Sequence, residues 1–346
     1  MSRLNSPPGG VLVDLPLRFR LSLGEYVVAL AVSRDGARLV VGLGDGRLLG
    51  FSLPSGKEVF RVQAHPGGLL GLALSPDGRY IATCGQESKA KLWTPEGVLW
   101  RELAGGASWV EHLAWSPLGT CLATASGRGI RLWSPEGECL REFASLPSTA
   151  GGLAWRQDGA YLAAPCYGGV SLLPVASGAV PRQLAFRGSL ISIAWSPDAK
   201  VLACGSQDCS VHFWRLATGA DSQMEGYRAK PKALAWDSRS QFLATSGDAA
   251  VSVWDFRGKG PEGTAPILLK GHRSNCTQLA FSPRKGMLAS GGLDAAVFLW
   301  EPLRASSPLR VGELLREVTA LVWHPEHHTL FGADSLGTLC AWDTSA

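Results

Sequence analysis

Charge is scarce in this chain. Asp, Glu, Lys and Arg make up only 18% of its 346 residues, and no long run of one sign occurs. The net charge of +4 is far short of the clustered basic surface expected of a dedicated nucleic-acid binder. No apolar run approaches the ~20 residues that a membrane-spanning helix needs. The opening residues, MSRLNSPPGG, lack the apolar core of a secretory signal, so a cytoplasmic location is expected. Catalytic signatures are missing as well: there is no H-E-x-x-H, no G-x-S-x-G and no C-x-x-C. GLGDG at 42–46 has some glycines of a dinucleotide fingerprint, but no helical period follows it, and SGK at 55–57 lacks the spacing of a phosphate loop. No enzyme activity and no cofactor are expected. The eight cysteines fall mostly inside apolar runs such as GTCLATA and VLACGS. They read as reduced, buried small hydrophobes.

What is present is a repeat. Hydrophobic residues make up 46% of the chain, enough for a large core. An apolar pair recurs every 40–45 residues, at Leu30-Ala31, Leu72-Ala73, Leu113-Ala114, Leu153-Ala154, Ile193-Ala194, Leu234-Ala235, Leu279-Ala280 and Leu321-Val322. These pairs define units 1 to 8. Each is followed by a turn (SRDG, SPDG, SPLG, RQDG, SPDA, DSRS, SPRK, HPEH) in which Pro presets φ and Gly or a short polar residue takes the strained position. A short apolar run comes next, then a small loop, then an alternating run that ends at Phe51, Trp93, Trp133, Leu173, Trp214, Trp254, Trp300 or Trp342. A fourth segment leads onward. Four short strands per unit predict an antiparallel meander, and a period of about 40–45 residues with four strands predicts a β-propeller blade.

The units resemble those of the WD-repeat (β-transducin-like) β-propeller family. Unit 7 carries the resemblance most fully, with Gly271-His272, Ser290, Asp294 and Trp300. An acidic residue also lies six positions before the closing aromatic in Asp45/Phe51, Asp208/Trp214, Asp248/Trp254 and Glu87/Trp93. The resemblance implies that His272, Ser290, Asp294 and Trp300 form a buried hydrogen-bonded network, with Asp208, Trp214, Asp248 and Trp254 as framework elsewhere. Gly127 of unit 3, Tyr167 and Leu173 of unit 4, and Leu336 of unit 8 depart from the pattern. Those units are expected to rest on apolar packing alone and to be less rigid. The last unit lacks a fourth strand, and LPLRFRLSL at 15–23 can supply it. The expected fold is a single all-β propeller over 11–346 with eight four-stranded blades, the ring closed by that N-terminal strand. Seven blades with one unit left outside is the alternative. Residues 1–10 are expected to be a disordered tail.

Propellers dock partners over the channel mouth, and the resemblance points to the loops between second and third strands and those leading into each inner strand. That face collects Lys89, Trp109, Arg128, Tyr167, Arg187, Tyr227, Arg228, Lys230, Arg273, Asn275 and Arg316. Aromatic and Arg side chains are enriched at interface hot spots. The expected function is therefore a non-enzymatic scaffold that docks a partner protein or peptide, the propeller being monomeric within a larger complex. His112 and Gln278 fall at inner-strand positions that can line the channel. Two alternatives remain. HPEHH at 324–328 crowds His324, Glu326, His327 and His328 into one turn and could make a metal-handling protein, although a structural site needs four ligands and an exposed hairpin turn that happens to carry histidines is the simpler reading. An RNA or single-strand binder would use the same Arg and aromatic residues for stacking.

Overall fold

The structure is a computed structural model that describes residues 12–106 and 108–345, and among these there is strand, turn and loop but no helix. The segment 1–10, expected to be a tail, lies outside the described residues.

Unit 2 shows how the repeat folds. Its strands are Leu69–Leu74, Ile81–Gly85, Lys89–Trp93 and Leu99–Ala104, each antiparallel to the next. After the first strand, the Ser75 hydroxyl donates to Asp77 Oδ1 at 2.7 Å and accepts from Tyr80 N at 2.9 Å, while Gly78 takes φ +72°. That is why the turn sequence is Ser-Pro-Asp-Gly: Ser ties the two strand ends and Gly tolerates the left-handed conformation. The second strand is buried throughout, so it is apolar without alternation. The outermost strand is exposed at all but one position.

The inner strands of consecutive units pack against each other around the ring, and the last, Val318–Trp323, packs against the first, Val27–Val32. The core is distributed between neighbours. Leu23, Val27, Leu39 and Leu43, for example, share one buried cluster with Phe331, Ala333 and Ala341. Indole groups add directional links between units: Trp155, Trp195 and Trp323 Nε1 donate to the carbonyls of Ala114, Ala154 and Ala280 at 2.9, 3.1 and 2.9 Å.

The N-terminal segment joins two units. Leu17–Ser22 pairs antiparallel with Thr338–Asp343 and supplies the outer strand of unit 8. Just before it, Val13–Asp14 adds to the outer edge of unit 7, parallel to Arg310–Glu313, as a fifth strand.

The expected count of eight separate four-stranded blades is corrected by the topology. The strands form seven hydrogen-bonded sheets. Counted this way the ring has seven blades, yet no unit stands outside it. Units 4 and 5 share one six-stranded sheet because two strands run on where other units turn away. Tyr161–Pro174 spans 14 residues, pairing with Ala154–Trp155 at one end and with Arg182–Trp195 at the other. Arg182–Trp195, also 14 residues, continues from that pairing into Val201–Ser206. The register shifts between Tyr167 and Gly169, where unit 4 has Gly168-Gly169 in place of the Asp-containing loop. Gly169 lies at φ +129°, and a Cβ there would meet Leu184 O at 1.9 Å. Only glycine lets the chain stay extended through this bulge.

Candidate docking face at the channel mouth

The loops at one end of the ring are held by side-chain networks. In unit 7, Trp300 Nε1 donates to Ser290 Oγ at 2.8 Å, Ser290 lies 2.8 Å from His272 Nε2, and His272 Nδ1 lies 2.9 Å from Asp294 Oδ1. Protons run one way along it: indole to hydroxyl, hydroxyl to Nε2, Nδ1 to carboxylate. Each donor thereby finds one acceptor. Asp294 also accepts from the backbone N–H of Arg273 at 2.7 Å, which ties the loop into the inner strand to the loop after the second. Burial works against the Asp294 carboxylate, but the bond from His272 and the backbone donors hold it below the ordinary range. Unit 2 has the same chain, Trp93–Thr83–His65–Glu87, at 2.9, 2.8 and 3.0 Å. Lys91 closes on Glu87 at 2.6 Å. Burial pushes His65 down to about 4.

The other units reach the same end by different means. In unit 6, Tyr227 stands in the histidine position: Trp254 Nε1 donates to its hydroxyl at 2.8 Å, and that hydroxyl lies 2.8 Å from Thr245 Oγ1. Burial pushes the phenol up to about 12, against the hydrogen bonds. Tyr227, expected as a contact residue, thus also takes part in the framework. Asp248 accepts from Ala249 N at 2.6 Å and lies 3.6 Å from the Arg228 guanidinium. In unit 5, Asp208 caps its own loop through Ser210 N and Oγ at 3.1 and 2.6 Å, while Trp214 packs against the His212 edge at 4.5 Å. Asp208 and Trp214 are therefore not joined in one network. In unit 3, Trp133 Nε1 donates to Thr124 Oγ1 at 2.9 Å.

Unit 8 corrects the expectation of apolar packing alone. Buried Asp334 accepts N–H groups from Leu315, Arg316, Leu336 and Thr338 at 2.9, 3.1, 3.0 and 2.7 Å. It stands two residues before Leu336, where unit 7 has Gly292. A Cβ at Gly292 would fall 2.5 Å from Asp294 Oδ1 and 2.6 Å from His272 Nδ1. An acid at this earlier position therefore puts its carboxylate where unit 7 places the His–Asp pair.

On these loops, the mouth of the central channel forms a cavity of about 930 Å³. Arg228 and Lys230 line it with Asn275, and so do Lys232, Tyr26, Gln278 and Glu317. Lys232 and Tyr26 are additions to the residues expected on this face. Lys232 follows Pro231 directly, and its place on the loop into an inner strand is the signal that could have found it. The remaining candidates are dispersed. Trp109, 51% exposed, borders a separate depression with Gln86, Ser88 and Glu111. Arg187 borders another with His212 and Asp221. Tyr167 is 64% exposed, Arg128 Nε is held by Leu146 O at 2.7 Å, and Lys89 is held by Glu102 at 2.5 Å. Arg273 and Arg316 expose their side chains but anchor their backbone N–H groups on Asp294 and Asp334. His112 does not line the channel cavity; it is half-buried, and burial lowers its pKa.

HPEHH has a structural explanation. His324 is buried. Its Nδ1 accepts from the backbone N–H of Glu326 and His327 at 3.1 and 2.9 Å, and its Nε2 donates to Gly36 O at 3.0 Å. It replaces the turn serine and links unit 8 to unit 1. Both ring nitrogens are engaged, so His324 has no lone pair left to offer beside His327 and His328. Among the described residues no group of three or more His, Cys, Asp or Glu side chains is placed to hold a metal ion.

The model of the WD domain, G-beta repeat, matches residues 56–94, 97–134, 182–215, 222–255 and 264–301. The chain belongs to the WD40-repeat family. The matched WD40 segments cover more than half of it and fall on units 2, 3, 5, 6 and 7, leaving units 4 and 8 and most of unit 1 unmatched. Protein FIZZY-RELATED 1 of Arabidopsis thaliana is 31% identical over 42% of this chain and 30% of its own length. Target of rapamycin complex subunit wat1 of Schizosaccharomyces pombe is 32% identical over 44% of this chain and 48% of its own. A probable cytosolic iron-sulfur protein assembly protein 1 of Mycosarcoma maydis is 33% identical over 32% of this chain and 21% of its own. The chain thus spans half or less of these relatives. Among solved structures, the computationally designed Ika8 protein superposes with a TM-score of 0.80, covering 97% of this chain and 100% of that one at 21% identity, which shows the fold. No helix among the described residues is long and apolar enough to cross a membrane.

Proposed function

We propose that this WD40 propeller is a non-enzymatic scaffold that docks a partner protein, or an acidic segment of one, over the channel mouth. The observation that carries the reading is the convergence of Arg228, Lys230 and Lys232 from one loop on a cavity where, among the described residues, Glu317 is the only lining carboxylate. A positive patch of this kind steers an acidic partner and selects against basic ones. Tyr26, 42% exposed on the far wall, offers the aromatic contact. Trp109, Tyr167 and Arg187 extend the surface outward as secondary contacts. The family relationship supports an adaptor: wat1 is by its name a complex subunit. Eight free cysteines, six of them buried, suit a reducing compartment such as the cytoplasm.

The test is affinity capture from native lysate with mass spectrometry, comparing wild type with Arg228→Glu/Lys230→Glu/Lys232→Glu. The expected result is a partner retained by wild type and lost by the variant at unchanged melting temperature. Equal capture by both sinks the channel-mouth reading. A partner sensitive to nuclease, with binding that falls steeply with salt, would favour the nucleic-acid alternative instead.

A further inference from the structure

A cleft of about 270 Å³ opens between units 6 and 7 at the opposite end of the ring. Phe242 and Phe281 form its floor, and Pro302 with Leu303, 62% exposed, forms one lip. Arg239, Arg284, Lys285 and Arg304 stand around it. Two acids line it, and both are occupied. Asp237 accepts N–H groups from Arg239, Gln241 and Phe242 at 3.2, 2.6 and 2.7 Å, while Glu301 binds Arg304 at 2.9 Å. Arg284 comes no nearer to an acid than 3.7 Å from Glu326, beyond hydrogen-bond reach. Among the described residues, Arg239 and Lys285 bond through their backbone N–H to Asp237 and Ser282, and their exposed charged ends have no partner.

Free cations on surface turns are ordinary. Two other junctions of this ring make these unusual. Between units 3 and 4, Arg141 reaches the carbonyls of Pro174, Ala176 and Ala179, each at 2.7 Å. Between units 5 and 6, Arg215 reaches Lys259 O and the Glu262 carboxylate, both at 2.8 Å. In each, the turn after the third strand of the later unit supplies oxygen acceptors to an arginine of the earlier one. Between units 6 and 7 the corresponding turn, 301–304, keeps its acid for its own Arg304. Arg239 of unit 6 and Lys285 of unit 7 stand at the cleft from different turns, and this turn offers them no such acceptors.

We propose that this cleft is a second docking site, for an extended peptide that sets a carboxylate side chain beside an aliphatic one. The carboxylate takes the place of the missing acceptors, between Arg239 and Lys285. The aliphatic side chain covers Phe281 against Pro302 and Leu303. A peptide fits better than a nucleic acid, because the cleft is one short notch and the rings lie in its floor, with Arg257 already stacked 4.9 Å from the Phe242 centroid. Two docking ends would let the propeller bridge two acidic segments.

The test uses a fluorescein-labelled peptide of alternating Asp and Leu, with Asp/Ser and Lys/Leu peptides as controls, read by anisotropy on the full chain. The Asp/Leu peptide is expected to bind and to weaken by about tenfold or more with Arg239→Glu/Lys285→Glu. The channel variant Arg228→Glu/Lys230→Glu/Lys232→Glu should bind it as wild type does. Absence of binding, equal binding by the cleft variant, or equal binding of the Asp/Ser peptide overturns the proposal. So does binding to phosphatidylserine-containing vesicles that only the cleft variant loses, which would make the site a membrane contact. If the glutamate variant fails to fold, Arg239→Gln/Lys285→Gln replaces it. Lysate capture addresses the channel mouth and the peptide addresses the cleft, so either reading can fail without the other.

Discussion

At the scale of single residues, the framework of unit 2 depends on one histidine kept neutral. His65 is fully buried, with Nε2 against Thr83 and Nδ1 against Glu87, and Lys91 and Glu102 are its other charged neighbours. Burial holds its folded pKa at about 4 against the ordinary 6.5. A base depressed in the folded state stabilises fully above 6.5, and that contribution is lost as pH falls toward 4. The sign is opposite to that of a salt-bridged histidine. Between pH 7 and pH 5 the loss amounts to about 2 kcal/mol from this site. Urea unfolding at both pH values should show it, and His65→Gln should be less stable at pH 7 yet lose less on acidification. An equal loss in the variant would place the sensitivity elsewhere: burial lowers His112, His212 and His324 too. His272 and its partners were visible in the sequence as Gly-His and an acid six positions before Trp, whereas His65 follows Ala64. Asp334 and Tyr227 were not, because each does the same work from a different backbone position or with a different side chain. The shared property is where the polar atom ends up in space.

At the scale of strands, a unit was readable wherever its turns carried Ser, Pro, Asp and Gly in order. Units 4 and 5 were harder, since a strand that fails to end leaves no mark beyond a missing polar loop. Gly169 is the residue on which their shared sheet depends. Gly169→Ala adds a methyl group against Leu184 O at positive φ. It should destabilise the protein by more than the ~1 kcal/mol of a plain glycine replacement. Hydrogen exchange is expected to rise first in Tyr161–Pro174 and Arg182–Trp195, the two strands paired across the bulge. Uniform loss of protection over the whole ring would show that the shared sheet is no separate unit of stability. The basic residues of the channel mouth were legible as loop positions. Their convergence on one cavity, with Trp109 and Arg187 placed elsewhere, was not.

At the scale of the whole molecule, closure joins the two ends of the chain. Leu17–Ser22 pairs with Thr338–Asp343, Arg18 binds Asp343 at 2.8 Å, and Leu23 is buried among residues of units 1 and 8. Deleting residues 1–22 leaves Thr338–Asp343 as an exposed edge and opens the ring. The melting temperature should fall well below that of wild type, with aggregation on heating. An unchanged melting point would mean that the apolar contacts of unit 8 with units 1 and 7 hold the ring without the strand. The sequence alone determined the repeat, its four-strand unit, the closing strand and the family, because these rest on local periodicity and turn chemistry that recur along the chain. Tertiary structure alone decided that eight units make seven sheets, which side chains share a cavity and which cations lack acceptors. Those outcomes depend on distances between residues far apart in sequence, and a linear pattern does not encode them.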